Sequence, residues 1–138
     1  MWQMKIKIIA LGKVNEAYLK AGVDEFLKRI APYCTIEVVE IKPVEVKDEN
    51  LVKRCLDLEA DKILAYIKPS SFVITMEIGG KMLSSEDFAE QINAIANSGT
   101  NELVFVIGSS HGLSEKVSAR ADYKLSLSKM TFLHNFAR

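Results

Sequence analysis

The feature that most constrains this chain is a run of five apolar residues at positions 103–107, LVFVI, which ends in a loop of small residues, GSSHG. A continuous apolar run of this length is typical of a strand buried on both faces, as in a parallel sheet covered by helices. In α/β proteins, a buried strand that ends in a small-residue loop is a common place for a ligand. The arrangement recurs nearby, because a strand predicted at 123–127 leads into the segment 126–132, SLSKMTF.

Strand and helix patterns alternate along the whole chain. β-Branched or alternating runs predict strands at 5–11, 34–41, 71–76, 103–107 and 123–127. Apolar residues at helical spacing predict helices at 15–31, 51–67, 84–96 and 114–121, with Ser84 and Ser114 as N-caps. This alternation predicts a single α/β domain over residues 1–138, with a mostly parallel sheet and helices on both faces.

Two connections between these elements have distinct compositions. Residues 42–50, KPVEVKDEN, are charged and contain a proline, so they are predicted to form an exposed loop and are the best candidate for a mobile one. Residues 77–83, EIGGKML, are predicted to form a turn-rich connection. Neither segment is long enough to separate two domains.

Composition excludes several classes of protein. The 138 residues include 18 Lys and Arg and 18 Asp and Glu, and this zero net charge counts against a nucleic-acid binder that relies on overall charge. An RNA contact through one local patch stays open.

Cys34 and Cys55 form no CxxC pair and are predicted to be reduced core thiols of a cytoplasmic protein. No metal-ligand spacing and no membrane-spanning apolar run is present, so we predict neither a metal nor a membrane partner.

The glycines of the loop at 108–113 raise the question of a phosphate site. The Walker pattern requires a lysine followed by Ser or Thr after its second glycine, and GSSHGL has neither. The dinucleotide fingerprint with three spaced glycines is also absent, which disfavours an unrelated nucleotide-binding protein. Gly108 and Gly112 either contact a ligand or simply permit a tight turn, and the local pattern leaves both explanations open.

The sequence favours a functional role for one of the two histidines more than for the other. His111 has no acidic or cysteine partner at useful spacing, which favours an ordinary hydrogen-bonding role. His134 follows the second small-residue loop and has the stronger claim, although a structural role is a serious rival. A Ser-His-Asp triad from Ser109, His134 and Asp122 is disfavoured because no nucleophile-elbow pattern accompanies it.

Three sequence blocks together resemble a known family. They are VITMEIGGKMLSSEDFA, LVFVIGSSHGL and LSLSKMTF, and the opening KIKIIALGKVNEAYLKAGVDEFLKRIAPY fits as well, so the resemblance covers essentially the whole chain. The family is RlmH, SPOUT-superfamily methyltransferases that modify N3 of a pseudouridine in 23S rRNA. The resemblance implies an α/β knot, S-adenosylmethionine as cofactor, and a cytoplasmic homodimer that acts on the ribosome or its large subunit. Knotted backbones are rare, and periodicity alone predicts only a parallel sheet.

The resemblance also implies particular site residues. Met76 and Gly108, at the ends of two predicted strands, are expected to contact the cofactor. The remaining contacts are expected from the knot loop, at Leu127, Ser128, Lys129, Met130, Thr131 and Phe132. The acceptor nitrogen must lose a proton, and His134 is the candidate base. Lys129 is a candidate for stabilising the developing anion, with a solvated surface lysine as the ordinary alternative.

The chain also departs from the family pattern. Family members often have leucine where this chain has Met76, a conservative change for an apolar contact. They continue for about another helix beyond the position of Arg138 and tend to have proline where Leu133 stands. Either the chain is truncated, which would leave the knot incomplete, or it is a natural short form that folds otherwise. The alternative function is therefore a non-catalytic SPOUT domain that dimerises or binds RNA without turnover.

Overall fold

The computed structural model describes residues 4–12, 17–108 and 112–127. The strands in these ranges are β1 (Lys5–Leu11), β2 (Thr35–Ile41), β3 (Phe72–Met82), β4 (Glu102–Ile107) and β5 (Tyr123–Ser126). The helices are α1 (Ala17–Ile30), α2 (Val52–Leu64), α3 (Ser85–Asn97) and α4 (Glu115–Arg120), and a 3-10 turn at Glu49–Leu51 precedes α2. None of the helices in these ranges is long and apolar enough to cross a membrane.

The strands form one parallel sheet in the order β2-β1-β4-β3-β5. The predicted α/β class with a parallel sheet is therefore confirmed. Crossovers between parallel strands are right-handed, so connections that step toward β2 and those that step toward β5 lie on opposite faces. Accordingly, α1 and α3 cover one face, and α2 and α4 cover the other.

Two apolar clusters hold these layers together. The first joins the sheet to α2 and α4 and includes Ile9, Val73, Val104, Ala60, Ile63 and Val117. The second joins the sheet to α3 and includes Ile74, Leu103, Leu125 and Ile95. Because neighbouring residues of β4 and of the first half of β3 belong to different clusters, these segments are buried on both faces, whereas Ile78 and Met82 in the second half of β3 are exposed. The burial of these segments confirms the interpretation of their continuous apolar sequences.

The prediction of a turn-rich connection at 77–83 is wrong, because β3 continues to Met82. Met76 and Lys81 both pair with Leu125 of β5, so the four residues between them bulge out of the ladder. A Cβ atom on Gly80 would lie 2.7 Å from the backbone carbonyl of Lys124, so only glycine fits there. A glycine pair often marks a turn, but in this chain Gly80 allows β3 to pair with β5 again from Lys81 onward.

A network of buried charges closes the amino edge of the sheet. Lys7 Nζ donates to the Tyr66 carbonyl at 3.0 Å and lies 3.6 Å from Glu102 Oε1. Ser71 Oγ donates to the same carboxylate oxygen at 3.0 Å. Glu102 Oε2 accepts no hydrogen bond from the described residues, but Lys5 Nζ lies 3.7 Å away and offsets its charge. These contacts hold the starts of β1, β3 and β4 together.

The segment at 42–50, predicted as exposed and mobile, is attached to α2 at two points. The Val44 amide donates to Glu59 Oε2 at 2.8 Å, and Cys55 Sγ contacts the Glu45 carbonyl at 3.7 Å. Asp48 caps the following 3-10 turn by accepting from the Asn50 amide. Most side chains of the segment are exposed, as predicted, but a movement away from α2 would have to break these contacts.

Candidate functional site

A crevice is expected between the carboxyl ends of β3 and β4, because the chain leaves these neighbouring strands toward opposite faces. The connection after β3 leads to α3 on one face, and the connection after β4 leads to α4 on the other. Ligands of open parallel sheets bind where adjacent connections diverge in this way. The topology therefore points to the same edge of the sheet as the small-residue loops.

Three of the predicted cofactor residues lie together at this edge. Met76 of β3 pairs with Leu125 of β5. On its other side, the pairing of β3 with β4 ends at Thr75–Val106, one residue before Met76 and two residues before Gly108. Leu127 directly follows β5, and 56% of its surface is exposed. Met76 thus lies within β3, just before its bulge, and it is near the carboxyl ends of β4 and β5, which Gly108 and Leu127 follow.

The rest of the predicted set lies outside the described residues. This applies to Ser128, Lys129, Met130, Thr131 and Phe132 of the predicted knot loop, to the knot itself, and to His134. It applies equally to Ser109 and His111 in the loop after β4. The roles assigned to all these residues stay predictions.

The glycines around the loop after β4 have a structural requirement of their own. Gly108 is buried, and a Cβ atom there would lie 2.5 Å from the Gly112 carbonyl oxygen. Gly112 has φ of +86°, a conformation that other residues rarely adopt. The tight-turn explanation therefore accounts for both glycines, while a ligand contact at Gly108 is compatible with the same geometry.

Glu77 is a polar residue near this edge, and the sequence pattern predicts no functional role for it. Its carboxylate accepts hydrogen bonds from Thr75 Oγ1 at 2.6 Å and from Ser118 Oγ at 3.0 and 3.1 Å. Once β3 is extended past Met76, the period of two places Glu77 on the same face as Val73 and Thr75, which α4 covers. The alternation of residues 73, 75 and 77 is the sequence signal that would place Glu77 on this face. The prediction of a turn at 77–83 excludes Glu77 from the strand, so the signal is missed.

Asp122, the acid of the disfavoured triad, lies at the opposite edge of the sheet. Its Oδ2 accepts from the Val73 amide at 2.9 Å and lies 3.2 Å from Arg120 Nη1. These contacts join the end of α4 to the start of β3. Asp122 therefore has a structural role, which further disfavours the triad.

The described part of the chain gives little support for metal or thiol chemistry, whether from possible metal ligands or from the two cysteines, Cys34 and Cys55. In the three described ranges, no three His, Cys, Asp or Glu residues are grouped so as to hold a metal ion. Cys55 is buried and Cys34 is half-buried, and both are free thiols. Burial raises the pKa of the Cys34 thiol, so the reactive thiolate is disfavoured there.

A concave region, the α1 groove, lies between α1 and the strands β1 and β2, and β2 is an edge strand of the sheet. It has a volume of about 200 Å³. Its lining consists of Ile8, Tyr18, Leu19, Gly22, Val23, Phe26, Leu27, Ile30, Ile36 and Val38. No charged side chain is among them, so the groove offers nothing to hold a charged ligand in a fixed orientation. The carboxyl edge of β4, β3 and β5 is the better candidate site.

Comparison with known proteins gives a consistent picture. Residues 4–138 match the family described as predicted SPOUT methyltransferase. A protein of Clostridioides difficile strain 630, named ribosomal RNA large subunit methyltransferase H, is 45% identical over 141 residues, covering 98% of this chain and 87% of the relative. Proteins of the same name from Clostridium botulinum strains Langeland and Okra are 43% identical with the same coverage. The resemblance based on three sequence blocks is confirmed.

We predict that Gly108→Ala destabilises the fold by about 1–3 kcal/mol, because the added methyl group must displace the Gly112 backbone. Urea unfolding followed by circular dichroism measures the change. Gly79→Ala is the matched control, since a Cβ there meets nothing within 4 Å. Equal stability of the two variants would show that the contact between Gly108 and Gly112 is not formed.

Proposed function

Because the chain belongs to the SPOUT methyltransferase family, we propose that it transfers a methyl group from S-adenosylmethionine to N3 of a pseudouridine in 23S rRNA. The observation that carries the proposal is the arrangement of Met76, Gly108 and Leu127 along the carboxyl edge of the adjacent strands β4, β3 and β5. The relatives named as large-subunit rRNA methyltransferases support the class of substrate.

The residues at this edge suit the proposed cofactor. S-adenosylmethionine supplies an electrophilic methyl group on a sulfonium ion, next to a flat adenine and a polar ribose. Half-buried Met76 and exposed Leu127 offer apolar side chains to the adenine. Gly108 has no side chain, so any contact of this residue with the cofactor would come from its backbone groups, on the side away from Gly112 and Leu113. These residues would hold the cofactor and exclude water, and positioning of this kind accounts for much of the rate of a group transfer.

The acceptor nitrogen carries a proton that must leave when the methyl group arrives. We propose His134 as the group that takes this proton, and Lys129 as the cation that favours the developing negative charge. The two roles are complementary, because one residue removes the proton and the other stabilises the resulting anion. Both assignments rest on the family resemblance.

We also propose that the protein works as a homodimer on ribosomes or large subunits in the cytoplasm. The support is the apolar surface of α1, in which no residue is buried and Phe26 is 61% exposed. A second copy placed against the α1 groove would cover this surface. A dimer could also assemble a basic patch for RNA that the neutral charge of one chain conceals.

Light scattering combined with size exclusion tests the dimer. We expect twice the mass of one chain for the parent protein, and the mass of one chain for Phe26→Glu, because a buried unpaired charge would disrupt the interface. Lys28→Glu, a charge change at an exposed position of the same helix, is the control and should stay dimeric. A parent protein that runs as a monomer would contradict the proposal.

The methylation itself is tested with large subunits that contain the pseudouridine but lack the methyl group. We expect transfer of a labelled methyl group to 23S rRNA, detected as N3-methylpseudouridine by mass spectrometry of the nucleosides. Subunits with uridine in place of the pseudouridine are the control and should not be labelled.

The negative outcomes separate the alternatives. Calorimetry that detects no binding of S-adenosylmethionine would contradict the methyltransferase proposal. Binding of cofactor and subunits without methyl transfer would instead identify a non-catalytic domain.

A further inference from the structure

Helix α4 is attached to the strand β3 at two places, one at each edge of the sheet. At the carboxyl edge, the Glu77 carboxylate accepts from Ser118 Oγ of α4 at 3.0 and 3.1 Å. At the amino edge, the Asp122 carboxylate, just after α4, accepts from the Val73 amide at 2.9 Å. The helix and the strand also pack directly, since Val117 and Val73 belong to the same buried cluster.

The two attachments differ in their distance from the candidate site. Glu77 directly follows Met76, whereas Asp122 contacts the start of the same strand. The helix α4 begins three residues after Gly112, where the loop that follows β4 ends. A displacement of the carboxyl-edge attachment would therefore change the distance between Met76 and Gly112. A displacement of the amino-edge attachment would leave that distance nearly unchanged.

Glu77 is itself held in one orientation. Thr75, which is fully buried, donates from Oγ1 to Glu77 Oε2 at 2.6 Å. Both carboxylate oxygens are thus engaged, and hydrogen bonds to a carboxylate are stronger than those between neutral groups. The residue also begins the bulge of β3, whose last residue, Gly80, packs on the Lys124 backbone of β5. The bulge is therefore anchored to α4 at one end and to β5 at the other.

We propose that Glu77 is a positioning residue of the methyl-donor site, which it shapes by fixing α4 and the preceding Gly112 relative to Met76. The inference rests on the proposed function, because it takes the carboxyl edge as the place where the donor binds. Glu77 acts through Ser118 and Thr75, and its carboxylate need not touch the donor. Its effect is on affinity for the donor, beyond any effect on folding.

A comparison of Glu77→Ala with Asp122→Ala tests this proposal. Each variant removes a carboxylate that joins the α4 region to β3, so both should lower the urea midpoint. Calorimetric titration with S-adenosylmethionine should separate them, with the Kd raised about tenfold by Glu77→Ala and less than about twofold by Asp122→Ala. Glu77→Gln keeps an acceptor oxygen for Ser118 and should restore most of the affinity.

Ser118→Ala provides a second measurement of the same link. Its effect on Kd should not add to that of Glu77→Ala, because the two changes break one interaction. Full additivity, or equal effects of Glu77→Ala and Asp122→Ala on Kd, would overturn the inference while leaving the proposed function intact. Failure of the parent chain to bind the donor would instead contradict the proposed function.

Discussion

The burial of the first half of β3 on both faces, between β4 and β5, is the constraint on which the rest of the structure depends. Val73 packs against α2 and α4, and Ile74 packs against α3, so the strand cannot shift without disturbing both clusters. A one-residue slip would exchange the two sets of side chains between faces. The register that places Met76 beside the ends of β4 and β5 is therefore set by the core.

The polar residues at the two edges of the sheet make different contacts. At the amino edge, Lys7 and Glu102 are buried and pair with each other, which fixes the strands but leaves little room for a ligand. At the carboxyl edge, small residues and apolar side chains predominate, and Glu77 accepts hydrogen bonds from Ser118 of α4. This division follows from topology, because the diverging connections of a parallel sheet open a crevice at its carboxyl edge.

Much of the fold could be predicted from the sequence. Apolar runs such as 103–107 and helix caps such as Ser84 and Ser114 depend on local chemistry, and the structure confirms them. The extension of β3 through Gly79 and Gly80 could not be predicted, because its cause is the backbone of β5, which is distant in sequence. The role of Glu77 was missed for the same reason, since its partner Ser118 lies 41 residues away.

The position of the candidate site was predicted in part. Two strand ends were identified by their small residues, but only the pairing of the strands brings Met76, Gly108 and Leu127 together. The specific cofactor and the reaction depend on the family resemblance, because positions 103–113 alone lack any phosphate-binding or nucleophile motif. The residues indicate where a ligand would bind, and family membership indicates the class of reaction, which is methyl transfer.

The most direct test of the central claim is a titration of the isotope-labelled protein with S-adenosylmethionine, followed by amide NMR. We expect the largest shifts at Met76, Gly108 and Leu127, along the carboxyl edge of β4, β3 and β5. Amides of β1 and β2 that face the α1 groove, such as Ile8 and Val38, should change little. Shifts concentrated at Ile8, Val23 and Val38, with Met76 and Gly108 unaffected, would contradict the assignment of the donor site to the carboxyl edge.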